Sequence, residues 1–191
     1  MGNRLLVHFL WITSLLVSIF LGYALAEIKP IGKGAKFPAL TFKDSLFSET
    51  QTYLGIPRKT SFSIKDINGS LLIIELFSTY CTSCPKNIPA LNAVYSNIEN
   101  DPKLKGKVKV VGIAFGNNQN EVKWYMKEYK VLYPILTDLN FTAHKALGNP
   151  RVPYTIFVKK DVTGKGIVFN THQGIIESVN SIMNEVRNLL K

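Results

Sequence analysis

The chain has 191 residues, enough for one ordinary domain with a sizeable core. Its composition, 46% hydrophobic and 19% charged, is that of a globular protein and excludes a disordered or repeat-built chain. The formal charge of +10 is scattered over single and paired cations such as Lys103, Lys105, Lys107 and Lys109, with no Arg cluster. It reads as solvated surface that helps to dock acidic partners, and not as a nucleic-acid face.

In chain order, residues 5–25 are nearly unbroken apolar sequence after the single early cation Arg4, and they end in Ala24, Leu25 and Ala26. A basic head, an apolar run and small residues before a cut predict a signal peptide over residues 1–26, cleaved before Glu27. The alternative is an uncleaved anchor, since roughly 20 apolar residues can span a bilayer. Either form puts residues 27–191 outside the cytoplasm. Residues 27–70 carry scattered aromatics (Phe37, Phe42, Phe47, Tyr53, Phe62) and turn signals, which predict short strands or loops covering one sheet edge. We divide the domain into an N-terminal extension, 27–61, and a core, 62–191.

Leu71–Phe77 is a short apolar run expected of a central strand buried on both faces. Ile88, Leu91, Val94, Tyr95 and Ile98 then recur at helical spacing, predicting an amphipathic helix over 82–99 that Pro89 should kink. Residues 107–115 form the next strand. Asn118 and Glu121 have capping-box spacing and open a helix with Val122, Tyr125, Met126 and Tyr129 on its apolar face. A short strand over 133–137 and a short helix over 142–147 follow, with Gly148 as C-cap. Residues 154–159 and 166–170 read as a hairpin around 161–165. Ile175, Val179, Ile182, Met183, Val186 and Leu189 stripe a closing helix. This alternation predicts an α/β fold with helices on both faces of the sheet.

The chain has two cysteines, Cys81 and Cys84, directly after the first strong strand. In an exported protein a structural disulfide is the plain expectation, yet a bridge three residues apart closes a tiny loop and stabilises little. Zinc needs about four ligands, and His8, His144 and His172 form no spaced partner pair. A CxxC at a helix start has another meaning. Unpaired N–H groups and the helix dipole favour a thiolate on the first cysteine, while the second sits shielded one turn in. That arrangement suits thiol–disulfide exchange.

The strand, the CTSC motif, Pro89 five residues on, and the segment "RVPYTIFV" together resemble the thioredoxin superfamily, in particular its TlpA/ResA-like exported thiol–disulfide oxidoreductases and redoxin-type proteins. The resemblance covers most of residues 62–191. It implies a thioredoxin fold, a central mixed β-sheet flanked by helices, with the N-terminal extension and a TlpA-type strand–helix insertion between 100 and 147. It implies a cis bond at Val152-Pro153 facing the cysteines, and a general base at Glu75, the only charge in its strand. It further implies that Cys81 attacks and Cys84 resolves, with Pro153, Val152, Tyr80, Thr82 and Ser83 at the substrate site. No cofactor is expected beyond the redox-active disulfide Cys81–Cys84, and no metal. Partners by resemblance are protein thiols and disulfides, for example apocytochrome c cysteines, and a membrane thiol-transfer electron donor acting on a monomer. Nucleic acid is not among them.

Departures from that family stand at the same place. Asn87 occupies a position where TlpA/ResA-like proteins usually carry glutamate, Tyr80 a position where tryptophan is common, and Pro85 directly follows Cys84. The pair Thr82 and Ser83 tunes the potential, so the direction of electron flow is not copied from relatives. A copper metallochaperone using Cys81, Cys84 and His172, and a dithiol oxidase or isomerase, are the alternatives. The peroxidatic PxxxTxxC pattern is absent.

Overall fold

The computed structural model describes residues 29–43, 46, 48–56 and 61–190. The segment expected to be a signal peptide lies outside the described residues. The strands are β1 (Thr41–Phe42), β2 (Phe62–Ser63), β3 (Leu71–Phe77), β4 (Val108–Phe115), β5 (Ile135–Asp138), β6 (Tyr154–Lys160) and β7 (Gly166–Gln173). The helices are α1 (Ser48–Leu54), α2 (Ile88–Asn100), α3 (Gln119–Glu128), α4 (Thr142–Ala146) and α5 (Val179–Leu189), and a 3-10 turn, Cys84–Asn87, precedes α2.

The main sheet has the order β5-β4-β3-β6-β7, with β3, β4 and β5 parallel and β6 and β7 antiparallel to their neighbours. It is a mixed sheet flanked by helices. All seven residues of β3 are buried, because both faces of this central strand are covered. Leu71, Ile73 and Phe77 face a core shared with α2, α3 and α5, where Leu91, Val94, Tyr125, Ile182 and Val186 pack. Leu72, Ile74 and Leu76 face the other core with α4 and with Phe37, Phe42, Leu54, Ile56 and Phe62 from the N-terminal part. Period-two alternation thus sorts one strand into two layers, and Glu75 falls on the α2 side.

The N-terminal part does more than cover an edge, and it contains the helix α1. Gly34 N–H donates to Val168 O at 2.8 Å and Phe37 N–H to Gly166 O at 2.8 Å, so the chain first lines the β7 edge. It then crosses the second face to β1 and β2, which form their own small sheet. Finally α1 reaches the β4 edge. There Tyr53 packs on Tyr95 of α2 with ring centroids 5.5 Å apart, and its hydroxyl accepts from Val110 N at 2.9 Å.

The helix predicted over 82–99 begins later. Cys84–Asn87 is a 3-10 turn, closed by Ile88 N–H on Pro85 O, and the α-helix opens at Ile88 with Pro89 in its first turn. Pro85 and Pro89 lack N–H donors, and each lies where none is needed, so the chain changes helix type instead of bending within one helix. The closing helix starts at Val179, leaving Ile175 42% exposed ahead of it. The α3 capping box is present as read from the sequence, with Asn118 accepting from Asn120 and Glu121 N–H groups. At Gly148 the backbone takes φ +81°, and a Cβ there would collide with Lys29 O.

Candidate active site

The motif loop hangs from the end of β3. Cys81 N–H closes a turn on Ser78 O at 3.0 Å, and the chain enters the 3-10 turn at Cys84. Cys81 and Cys84 are joined as a disulfide with Cα atoms 5.5 Å apart. Cys84 is 2% exposed, whereas Cys81 is partly open, so one sulfur of the pair meets solvent and the other does not. Cys84 N–H donates to Cys81 Sγ at 3.1 Å, and Ser83 Oγ stands 3.4 Å from the same sulfur. Donors on one sulfur favour negative charge there once the bond opens. Thr82 is exposed at the tip of the loop.

The opposite wall is the Val152-Pro153 bond, which is cis, and Val152 O lies 3.9 Å from Cys81 Sγ. In the disulfide that sulfur carries no hydrogen, so the approach is a van der Waals contact. Pro153 O accepts from Gly174 N at 2.9 Å, which ties this wall to the loop after β7.

Glu75 lies beneath the motif, 2% exposed, in the middle of β3. Thr155 donates its hydroxyl to Oε2 at 2.6 Å and Asn87 donates Nδ2 to Oε1 at 2.9 Å. Burial pushes its carboxyl up to about 7, and these two bonds oppose the rise. A carboxyl poised near neutrality can exchange a proton at physiological pH.

Tyr80 is 70% exposed, yet its position is fixed. Its hydroxyl donates to Glu121 Oε1, a bond that raises the phenol above its ordinary value and lowers the carboxylate below its own. Asn117, fully buried, accepts from Thr79 N at 2.9 Å and Ser78 Oγ at 3.3 Å and donates to Thr79 Oγ1 at 2.6 Å. The segment ahead of α3 therefore clamps the loop that leads into the cysteines.

The structure gathers Cys84, Ser83 and Val152 around the Cys81 sulfur, with Pro153 next in the chain to Val152 and Glu75 in the layer beneath. The sequence marked Asn87 as a departure and Asn118 and Glu121 only as a helix start, and it passed over Asn117 and Thr155. For Asn117 the one available signal was its place beside the capping box. His172 sits on β7, and its Nε2 lies 3.0 Å from Ile175 O, as a donor to that carbonyl. Its ladder partner is Thr155. His144 lies on α4, stacked on Phe115 with centroids 4.1 Å apart. Among the described residues no group of three or more His, Cys, Asp or Glu side chains could hold a metal ion, and no helix is long and apolar enough to cross a membrane.

Comparison with known proteins follows the same lines. The chain is 26% identical over 99 residues to the thiol-disulfide oxidoreductase ResA of Bacillus thuringiensis, covering 51% of this chain and 54% of that relative. It is 23% identical over 128 residues to ResA of Bacillus subtilis, covering 67% of this chain and 65% of the relative. The chain thus spans about half the length of the first of these relatives. Among solved structures, the thioredoxin domain of a thiol-disulfide oxidoreductase from Bacteroides vulgatus superposes with a TM-score of 0.61 at 17% identity, over 82% of this chain and 99% of that one. StoA from Bacillus subtilis superposes with a TM-score of 0.55 at 18% identity, over 78% and 96% of the two chains. These likenesses show a thioredoxin fold. The AhpC/TSA family matches residues 34–177, the span that holds both cysteines, Glu75 and the cis-proline, and this chain belongs to that family.

Proposed function

We propose that this protein is an exported thiol–disulfide oxidoreductase that reduces protein disulfides through Cys81 and Cys84. The observation that carries this reading is the asymmetry of the pair: Cys81 is open and accepts the Cys84 N–H, while Cys84 is buried behind it. In the reduced protein the Cys81 thiolate attacks a substrate disulfide, forming a mixed disulfide and releasing one substrate thiolate. Cys84 then gives its proton toward Glu75 and attacks Cys81 Sγ. That step restores the Cys81–Cys84 bond and frees the second substrate thiol, so two electrons pass to the substrate. The backbone beside cis-Pro153, with Val152, pairs with the substrate chain. Tyr80, Thr82 and Ser83 border it.

The site acts outside the cytoplasm, on substrates such as apocytochrome c cysteines, and a membrane thiol-transfer protein returns the dithiol to its reduced form. The monomer suffices, since both cysteines and the acid come from one chain.

Replacing Cys84 with serine leaves the first step intact and removes the second. The variant should accumulate a mixed disulfide at Cys81 with a model substrate, seen as the summed mass. Cys81→Ser should form none, and an adduct there would defeat the assignment. The reduction potential of the pair fixes the direction. A value well below roughly −200 mV supports a reductase, and a higher one supports an oxidant.

A further inference from the structure

We propose that Asn87 is a positioning residue that joins Glu75 to the cis-proline wall, so that proton exchange at Glu75 and the setting of the 174–176 loop are coupled. The inference rests on the reading of Glu75 as the proton acceptor and adds how that group communicates with the substrate side of the site.

Asn87 is 1% exposed and uses its whole amide. Nδ2 donates to Glu75 Oε1 at 2.9 Å and to Gly174 O at 3.2 Å, while Oδ1 accepts from Ile176 N at 2.8 Å. The partners fix the orientation of the amide, since two are acceptors and one is a donor. Gly174 N–H in turn donates to Pro153 O at 2.9 Å. An unbroken chain of bonds therefore runs from the carboxyl through Asn87 and Gly174 to the cis-proline. An ionised carboxylate in place of Asn87 has no donor for either Glu75 or Gly174 O and would repel the neighbouring acid.

The two bonds on Glu75 are not equivalent. A hydroxyl can reverse from donor to acceptor, so a proton on Oε2 is met by rotation of Thr155. The Asn87 N–H only donates, and its bond strengthens when the carboxyl ionises because it becomes charge-assisted. Ionisation thus draws the amide toward Glu75 and with it the loop held by Gly174 O and Ile176 N. The titratable groups in the same core layer are Cys81 and Cys84, which the disulfide keeps from titrating, Tyr95 of α2, Tyr125 of α3 and Tyr133 ahead of β5, while α5 presents Ile182, Met183 and Val186. All three tyrosines are raised above their ordinary values, chiefly by burial, and stay neutral through the range in question. On β7, His172 pairs with Thr155, and its Nε2–H donates to Ile175 O.

The test uses the oxidised protein, in which neither cysteine titrates, and follows the Gly174 and Ile176 amide signals and the Glu75 carboxyl carbon by NMR against pH. In the wild type both amides should move with the midpoint of Glu75. In Glu75→Gln that movement should vanish, and amides that still move over the same range would overturn the coupling. In Asn87→Leu the Glu75 midpoint should rise by about one pH unit, the effect of losing one bond to a charged group, and the amides should stop following it. Wild-type amides that ignore Glu75, or a midpoint unmoved in Asn87→Leu, would overturn the proposal. Should Asn87→Leu not fold, the comparison of wild type with Glu75→Gln decides alone. These signals need no turnover. A Glu75→Gln variant whose activity keeps the wild-type pH profile would defeat the proton-acceptor role while leaving the coupling measurable.

Discussion

Thr155 donates its hydroxyl to Glu75 Oε2 at 2.6 Å across the rung of the ladder that pairs their backbones. The bond compensates only part of what burial takes from the carboxylate, and the group titrates at about 7 against an ordinary value of 4.5.

That difference makes stability depend on pH with a definite sign. The folded carboxyl binds its proton more tightly than the unfolded one. Its contribution is fully present below about 4.5 and is lost as the pH rises through about 7. The whole difference corresponds to about 3 kcal/mol. Urea unfolding of the oxidised protein at pH 4.5, 6 and 8 should show the wild type losing stability relative to Glu75→Gln over this window. Parallel curves for the two proteins would mean that Glu75 is not held protonated.

Asn117→Ala should loosen the entry to the motif. It leaves the Thr79 N–H without its acceptor and opens space in a buried site. A loss of about 2–4 kcal/mol is expected. Hydrogen exchange should localise it to residues 78–81, with slower mixed-disulfide formation at Cys81. Exchange unchanged in that loop would show that the β3 end holds it unaided.

Tyr53→Phe separates fold from chemistry. β5 pairs with β4 only from Gly112 onward, and the Tyr53 hydroxyl accepts the Val110 N–H that is left on that edge. Removing it should cost about 1–2 kcal/mol in a urea titration. The Cys81–Cys84 potential should stay where it is. A shifted potential would mean that the bare edge communicates with the far end of the sheet.

The sequence alone determined the strands Leu71–Phe77 and Val108–Phe115, the hairpin of β6 and β7, the capping box at Asn118, and the place of the cysteines at the end of a buried strand. Apolar spacing and turn chemistry are local signals, and local hydrogen bonding obeys them. The sequence placed the start of the motif helix too early, because Pro85 and Pro89 act together through the donors they lack. What only the tertiary structure decided is which distant groups satisfy the buried polar atoms. Asn87 looked like a missing acid, yet its amide bonds a strand carboxyl and a loop 87 residues away. Asn117 meets Thr79 from 38 residues on, and Tyr53 meets Val110 from 57 residues back. A buried polar group takes its partner from whatever packing brings close, and no spacing in the chain records that choice.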